Sequence, residues 1–533
     1  MKNYRIIGAV SVALMLSVCL GITAWQNQLQ IQAKPTSYNE PLLPAPYEEN
    51  PTAGINADFT VNEQFSSHFP LVILDMGGKE PPITTRHEGN RYVELDDVEP
   101  YVTGTLTVID NESGLNRLTD TPAAESIMNI KRRGNNSMHY FKPQYLVKLL
   151  TSSGQNNDID LMGMGAEHEW VLNGSMADKS MMRNYMAYRI CSEVLEFTPD
   201  SHYCEVVTKT EDGYMYQGVY LLIESIKQGE NRVDIQDFSP SQPYNSFLLR
   251  RDRLDEKDDR LIEIDVPQGS VEPHESWFYC LYPNRYDITQ AQKDYIKSII
   301  TNIETTLYSD DPKVFCQYPN YIDVDSFVDF FVLMEFFGSY DAGQYSTYFY
   351  QDVGGKLKIG PAWDFDGAID NSRQTAMDIE VTALQAKPWF ERLSKDITFL
   401  KKVQKRYTKL RQTLLSEENI IEMIDTLQLY IGGAQEREWL RWNDVYTQKN
   451  LFSLHDTVDS DGDLIVRETT EYVQEIHHLK SILSKHGDSV PNRLTLLMRS
   501  TEFKTGTAQY QGVLLLLAAA LFIIPAIFVS YRK

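Results

Sequence analysis

"GPAWDFDGAIDN", residues 360–371, sets Asp364 and Asp366 on either side of Phe365, with Asp370 four residues further on. The run before it, "GGKLKIG" (354–360), has the alternation of a short strand. Acids beside Trp363 and Phe365, which belong in an interior, imply a task for the negative charge beyond packing. Upstream, "DVDSFVDFFVLMEFFGSY" (323–340) reads as an apolar helix that stops at a glycine and delivers Asp341 just past its end.

Working outward, the back half is helical. "DITQAQKDYIKSIITNIETTL" (287–307) and most of 395–440 carry helical spacing. The front half reads as strands. "FPLVILDMGG" (69–78), "GTLTVID" (104–110), "ESIMNIKRRGNNS" (125–137) and "QYLVKLL" (144–150) are short β-branched runs punctuated by Gly, Pro and Asn. "HYCEVVTK" and "YQGVYLLIESI" predict an antiparallel pair turned by "TEDGY" (210–214), and a helix is expected from near Asp178. The expected class is α+β. A β-rich lobe over 67–285 precedes a helical lobe over 286–504 that holds the acidic segment, with a cleft between them.

The ends predict a location. Lys2 and Arg5 precede an uncharged run from Ile6 to Trp25, and "GVLLLLAAALFIIPAIFVS" (512–530) is followed only by "YRK". Both runs are long enough to span a bilayer, which makes 1–30 a signal anchor and 505–533 a C-terminal transmembrane helix. Positive charge at both tips puts both termini in the cytoplasm and the body on the extracytoplasmic side of the cell membrane. The proline-rich stretch 31–66 then reads as an extracytoplasmic linker. A formal charge of −24 argues against a nucleic-acid surface. Outside the first apolar run there are four cysteines, Cys191, Cys204, Cys280 and Cys316, with no zinc spacing; Cys191 to Cys204 would close the shortest disulfide loop.

In so acidic a chain, basic residues in the front half are informative. Arg132 and Arg133 precede "GNNS", and Lys148 lies in the apolar strand "YLVKLL", where it either faces solvent or meets an anion. With Arg183 and Asn184 on the following helix and paired aspartates downstream, these are the parts of a phosphoanhydride site. Cations hold phosphates, and carboxylates hold a divalent ion that bridges them.

"IKRRGNNS…FKPQYLVKL", "WVLNGSMADKSMMRNYMAYRI", "YQGVYLLIESIK" and "FVLMEFFGSYDAGQYSTYFYQDVGGKLKIGPAWDFDGAI" occur in that order. Together they resemble the spore coat protein H (CotH) kinase family, atypical protein kinases of the cell surface, from about residue 68 to about 495. The resemblance implies a two-lobed, atypical protein-kinase-like fold and transfer of the γ-phosphoryl of ATP, with Mg²⁺ or Mn²⁺, to a protein or envelope hydroxyl. It makes Asp364 the ligand of the nucleotide's metal and Asp341 the catalytic base. It likens Lys148 to the strand lysine that neutralises ATP phosphates. Arg133, Arg183 and Glu224 fall in motif positions of the nucleotide site, and Asp366 and Gln344 join Asp364 as metal residues. Asp366 is equally suited to cap a helix starting after it. The chain departs from ordinary kinases in having no G-x-G-x-x-G loop. Only Gln344 and Ser346 stand where such enzymes carry a second metal-binding asparagine.

Two further readings stay open. "TVDSDGDLIVRE" (457–468) fits a calcium-loop register with Asp459, Asp461, Asp463 and Glu468 as ligands, but Thr457 replaces the first aspartate, and an acidic surface turn accounts for it as well. A non-catalytic surface or spore-coat scaffold with the same fold is the alternative function. A glycosidase-like acid/base pair at Asp341 and Asp364 is a third and is disfavoured by the surrounding lysine and arginines.

Overall fold

Alternation in the front half closes on itself. In a computed structural model the described residues are 33–88, 91–111, 114–255, 258–264, 276–372, 382–448, 456–458 and 464–505. Strands β1 (Leu71–Asp75), β2 (Val102–Ile109), β3 (Ala124–Arg132), β4 (Tyr145–Leu150), β5 (Glu169–Asn173), β6 (Ser201–Thr210) and β7 (Gly213–Glu224) form a ring in the order β7-β5-β4-β3-β2-β1-β6. The ring closes because β7 also pairs with β6, and the short strand Thr60–Val61 adds to β7. Every pairing in the ring is antiparallel except β1 with β6, where Leu71 lies opposite Glu205. Closure leaves no open edge and creates a dry interior of Val72, Leu74, Met128, Ile130, Val147, Leu149, Trp170 and Leu222. On β4 the burial alternates strictly, so Tyr145, Val147 and Leu149 point in while Lys148 points out.

Helix α1 (Arg183–Ser192) fastens this barrel to the rest. It is buried almost all round, with only Arg189 left partly exposed, so it is an internal pillar rather than a surface helix. The helix begins later than the sequence predicts. Asp178 instead folds residues 178–182 into a turn by accepting from the backbone N–H of Ser180 (3.1 Å) and Arg183 (2.8 Å).

A second sheet joins the two halves of the chain. Its strands β8 (Phe247–Asp252), β9 (Leu261–Ile262), β10 (Trp277–Tyr282), β11 (Thr347–Gln351) and β12 (Lys358–Ile359) run in the order β9-β10-β8-β11-β12. Strands from before residue 285 therefore pair with strands from the helical half. The longer helices among the described residues are α2 (Gln290–Leu307), α3 (Val324–Phe337), α4 (Ile397–Arg411), α5 (Glu417–Ile431), α6 (Ala434–Tyr446) and α7 (Tyr472–Met498). Helix α3 is the core helix, with Phe327, Phe331, Leu333 and Phe337 fully buried. The mixed α+β class read from the sequence is the class observed.

Residues 33–66, expected as a linker, pack along the body. The Tyr38 ring is buried and its hydroxyl donates to the Pro199 carbonyl (2.9 Å), the Ala45 N–H donates to Leu429 O (2.8 Å), and Glu48 pairs with Arg437 (2.5 Å). A few anchoring side chains outweigh the polar, proline-rich composition there. Cys191, Cys204, Cys280 and Cys316 are all free thiols. Both expected membrane spans lie outside the described residues, among which no helix is long and apolar enough to cross a membrane. Asp459, Asp461 and Asp463 also lie outside them. The flanks of that loop form a small hairpin, Thr457–Val458 with Leu464–Ile465, and the N–H groups of Arg467 and Glu468 donate to Asp456 (2.9 and 3.1 Å).

Candidate functional site

The acidic turn is held by its aromatic residues. Trp363 and Phe365 both pack on Tyr188 of α1 (ring centroids 5.9 and 5.7 Å), and Phe365 also meets Phe337 at the end of α3 (5.4 Å). With its two neighbours pinned inward, Asp364 is turned outward and is exposed to solvent. Its backbone has φ 70°, and Ile369 and Asp370 follow at 52° and 55°. Positive φ at three non-glycine residues in one short turn is strain of the kind that marks functional segments.

Asp341 arrives from the other side. Helix α3 is capped at its start by the Asp323 carboxylate on the Ser326 N–H (3.0 Å) and ends at Gly338 in the left-handed conformation, which a side chain would resist. The chain then folds into a turn in which Asp341 O accepts from the N–H groups of Gln344 (3.1 Å) and Tyr345 (2.8 Å). Ser346, at the foot of β11, donates to Asp364 Oδ2 (3.1 Å) and so bridges the two loops.

The charges here do not cancel. Crowding by protein raises the Asp364 pKa first, and the Asp341 carboxylate raises it further; Arg133 and the Ser346 hydroxyl pull the other way, and Asp252 at the end of β8 adds a third repelling acid. Arg133 lies over the Trp363 ring (5.2 Å). Arg253, stacked on Tyr345 (3.8 Å), reaches to 3.8 Å from Asp341 Oδ2. Lys387 donates to Gln344 Oε1 (3.3 Å) and lies over Tyr340 (3.8 Å), with burial lowering its pKa to about 8. A carboxylate that neighbouring acids make costlier to ionise, with an oxygen open to solvent and a hydroxyl alongside, makes a hard-oxygen donor set that suits Mg²⁺ or Mn²⁺.

Asp366 is in a different state. It accepts from Asn184 Nδ2, from Ser175 Oγ (3.2 Å) and from Gln144 Nε2 (3.1 Å), all buried. Burial pushes its carboxyl up to about 7, with Asp364 and Asp178 adding to the shift. The next residues form turns rather than the helix expected there, so Asp366 caps nothing. It ties the acidic turn to α1 and the barrel.

Arg183 and Glu224 also differ from expectation. Arg183 is fully buried, paired with Asp178 (2.7 Å) and with Glu475 of α7 (2.6 Å), and donates to the Ala368 and Ile369 carbonyls. It props the acidic turn from behind. Glu224 is buried between Lys34 and Arg232, and the Asp200 backbone N–H donates to the oxygen that Lys34 holds (2.9 Å), in a separate network. Neither has an open group to offer a nucleotide.

Lys148 does face outward, and its partner was not foreseen. Glu169 lies directly opposite it across the β4–β5 pair, with Nζ 3.4 Å from Oε2. Lys131, the Tyr101 ring and Arg260 gather around this pair. From Arg260 the charges run on through Asp258 and Arg250 to Asp252, and Asp252 acts on Asp364. A continuous series of charges thus links the outer face of the barrel to the acidic turn. Of the residues missed, Asp252 closes the strand-like "FLLRRD" run, which alternation can find, and Arg253 follows it directly. Glu169 becomes visible only once β4 and β5 are paired, and Lys387, in "QAKPWFERL", carries no local signal.

Residues 130–489, more than half of the chain, match the family model described as CotH kinase protein. No curated protein matches the chain. The matched span contains Asp341, Asp364, Asp252, Arg133, Arg253, Lys387, Lys148 and Glu169, whereas Lys34 and Tyr101 lie before it.

Proposed function

The chain belongs to the CotH kinase family, and from that premise we propose that it is an atypical, two-lobed kinase that transfers the γ-phosphoryl of ATP to a hydroxyl of a protein or envelope component. The two apolar ends would tether it to the cell membrane with its body on the extracytoplasmic face. One observation carries the reading: Asp341 and Asp364, delivered by separate loops, meet as mutually repelling acids beside Arg133, Arg253 and Lys387. Acids placed so are destabilised until a cation arrives, which is the arrangement a metal–nucleotide site needs.

A divalent cation at Asp364 would neutralise charge on the phosphates of ATP. Asp341 accepts the proton of the acceptor hydroxyl at its carboxylate, with Arg253 orienting Oδ2. Lys148, steadied by Glu169, presents its ammonium to phosphate oxygens from the barrel side. Asp366 and Arg183 fix the turn so that Asp364 keeps its outward direction.

The test is label transfer from γ-labelled ATP by the full-length protein in detergent. Asp341→Asn should bind ATP with Mg²⁺ as the parent does but lose transfer by about 10²–10⁴-fold, the usual contribution of a general base. Asp364→Asn should lose both. A parent protein that neither binds nor transfers would leave the scaffold reading in its place.

A further inference from the structure

Lys387 has a charge that nothing described balances. Its side chain is buried, with 5% of the residue exposed. The other buried lysines are satisfied: Lys142 pairs with Glu438 (2.6 Å), and Lys179 donates to the carbonyls of Tyr446 (2.8 Å) and Thr469 (2.5 Å). Among the described residues Lys387 meets one amide oxygen, that of Gln344, and one ring face, that of Tyr340. Among the described residues no carboxylate comes within ion-pair distance of it, although Asp341 is near enough to act on it. An ammonium buried with so few acceptors is costly unless an anion completes the site.

The direction in which it is presented says which anion. Gln344 and Tyr340 flank Asp341 in the same turn, so the ammonium is held near the base, where Arg253 also reaches and acts on it. The Gln344 carbonyl oxygen, its only strong donor to a cation, already accepts from Lys387. Gln344 is thereby a holder of the lysine and not a ligand of a second metal.

We infer that Lys387, positioned by Gln344 and Tyr340, is a catalytic residue that binds the phosphoryl group in transit between ATP and the acceptor. This rests on the kinase reading above. In the step, the bond from the γ-phosphorus to the ADP oxygen breaks, and its electron pair leaves with ADP. The bond from the acceptor oxygen to phosphorus forms, and the hydroxyl proton passes to Asp341. Lys387 keeps its proton throughout and neutralises charge on the equatorial oxygens, as preorganised cations do in phosphoryl transfer.

Two measurements on the full-length protein in detergent test this. The first counts Mn²⁺ bound with a non-hydrolysable ATP analogue by electron paramagnetic resonance; the second follows single-turnover transfer. Lys387→Met, which keeps the length and the packing over Tyr340, should slow single turnover by about 10²-fold while leaving Mn²⁺–nucleotide affinity within about threefold. Lys387→Arg should recover at least about tenfold of that loss. Gln344→Ala should slow turnover but leave Mn²⁺ affinity within about threefold, whereas loss of a metal ligand costs more than about tenfold. If Lys387→Met turns over at the parent rate, or Gln344→Ala loses Mn²⁺, the inference is wrong and the kinase reading stands. If the parent binds no Mn²⁺ with the nucleotide, both fall together.

Discussion

Buried charge in the framework and charge at the cleft follow opposite rules. Between the barrel and the helices, Lys142 meets Glu438, Arg437 meets Glu205 (2.9 Å), and Arg183 meets Asp178 and Glu475, each with hydrogen bonds on its remaining polar atoms. At the cleft, Asp341 and Asp252 both act against the charge on Asp364, Arg253 only approaches Asp341, and among the described residues Lys387 has no carboxylate within ion-pair distance. The framework charges hold the fold together. The cleft charges are left incomplete, and a cation and a phosphate would complete them. Substitutions should therefore sort by region: loss of stability in the framework, and loss of binding or turnover with little change in stability at the cleft.

The largest stability effect is expected at Arg183→Met. Removing it strands Asp178 and Glu475 in a dry interior, which costs about 3–5 kcal/mol, read as a shift in the urea unfolding midpoint. Asp364→Asn, by contrast, should leave that midpoint unchanged or raise it. A cleft substitution as destabilising as Arg183→Met would break the distinction between the regions.

Glu335 sharpens it with pH. This residue of α3 is fully buried, accepts from the Ala383 N–H (2.8 Å), and has Arg493 only at 3.9 Å, so burial raises its carboxyl to about 7. A raised carboxyl favours the folded state while protonated. Its contribution is complete below the unfolded value near 4.5 and is lost as pH rises through about 7. The loss amounts to about 3 kcal/mol. Unfolding free energies at pH 5 and pH 8 should differ by that much less in Glu335→Gln than in the parent. Equal differences in the two proteins would place Glu335 among the fully paired framework charges.

Lys148 should give the smallest effect, because it is half-exposed and already paired with Glu169. Lys148→Met is expected to weaken ATP binding by about tenfold, close to 1.4 kcal/mol, with stability unchanged. No change in affinity would mean that the barrel's outer face lies outside the nucleotide site.

The same contrast explains what the sequence discloses. The β6–β7 hairpin was legible because its turn and both strands are contiguous, and Thr210 pairs with Gly213 as the "TEDGY" turn requires. Closure of the barrel was not, since it depends on β1 lying parallel to β6 across a long stretch of chain, and alternation names no neighbour. The packing of residues 33–66 along the body was masked by composition, because one buried tyrosine, two ion pairs and a few backbone bonds decide it. At the site, Asp341 and Asp364 were found through the order and wording of their motifs. Arg183 and Glu224 were drawn in by the same motifs, yet their partners Glu475 and Lys34 lie far away in sequence, and only the fold reveals that those charges are already matched.

The central claim is that the outward-turned Asp364 completes a metal–nucleotide site with the cations around it. Calorimetric titration of ATP into the full-length protein, with and without Mg²⁺, and repeated on Asp364→Asn, tests it most directly. The account predicts binding by the parent only when Mg²⁺ is present and none by Asp364→Asn under either condition. Equal binding with and without Mg²⁺, or unaltered binding by Asp364→Asn, would contradict it.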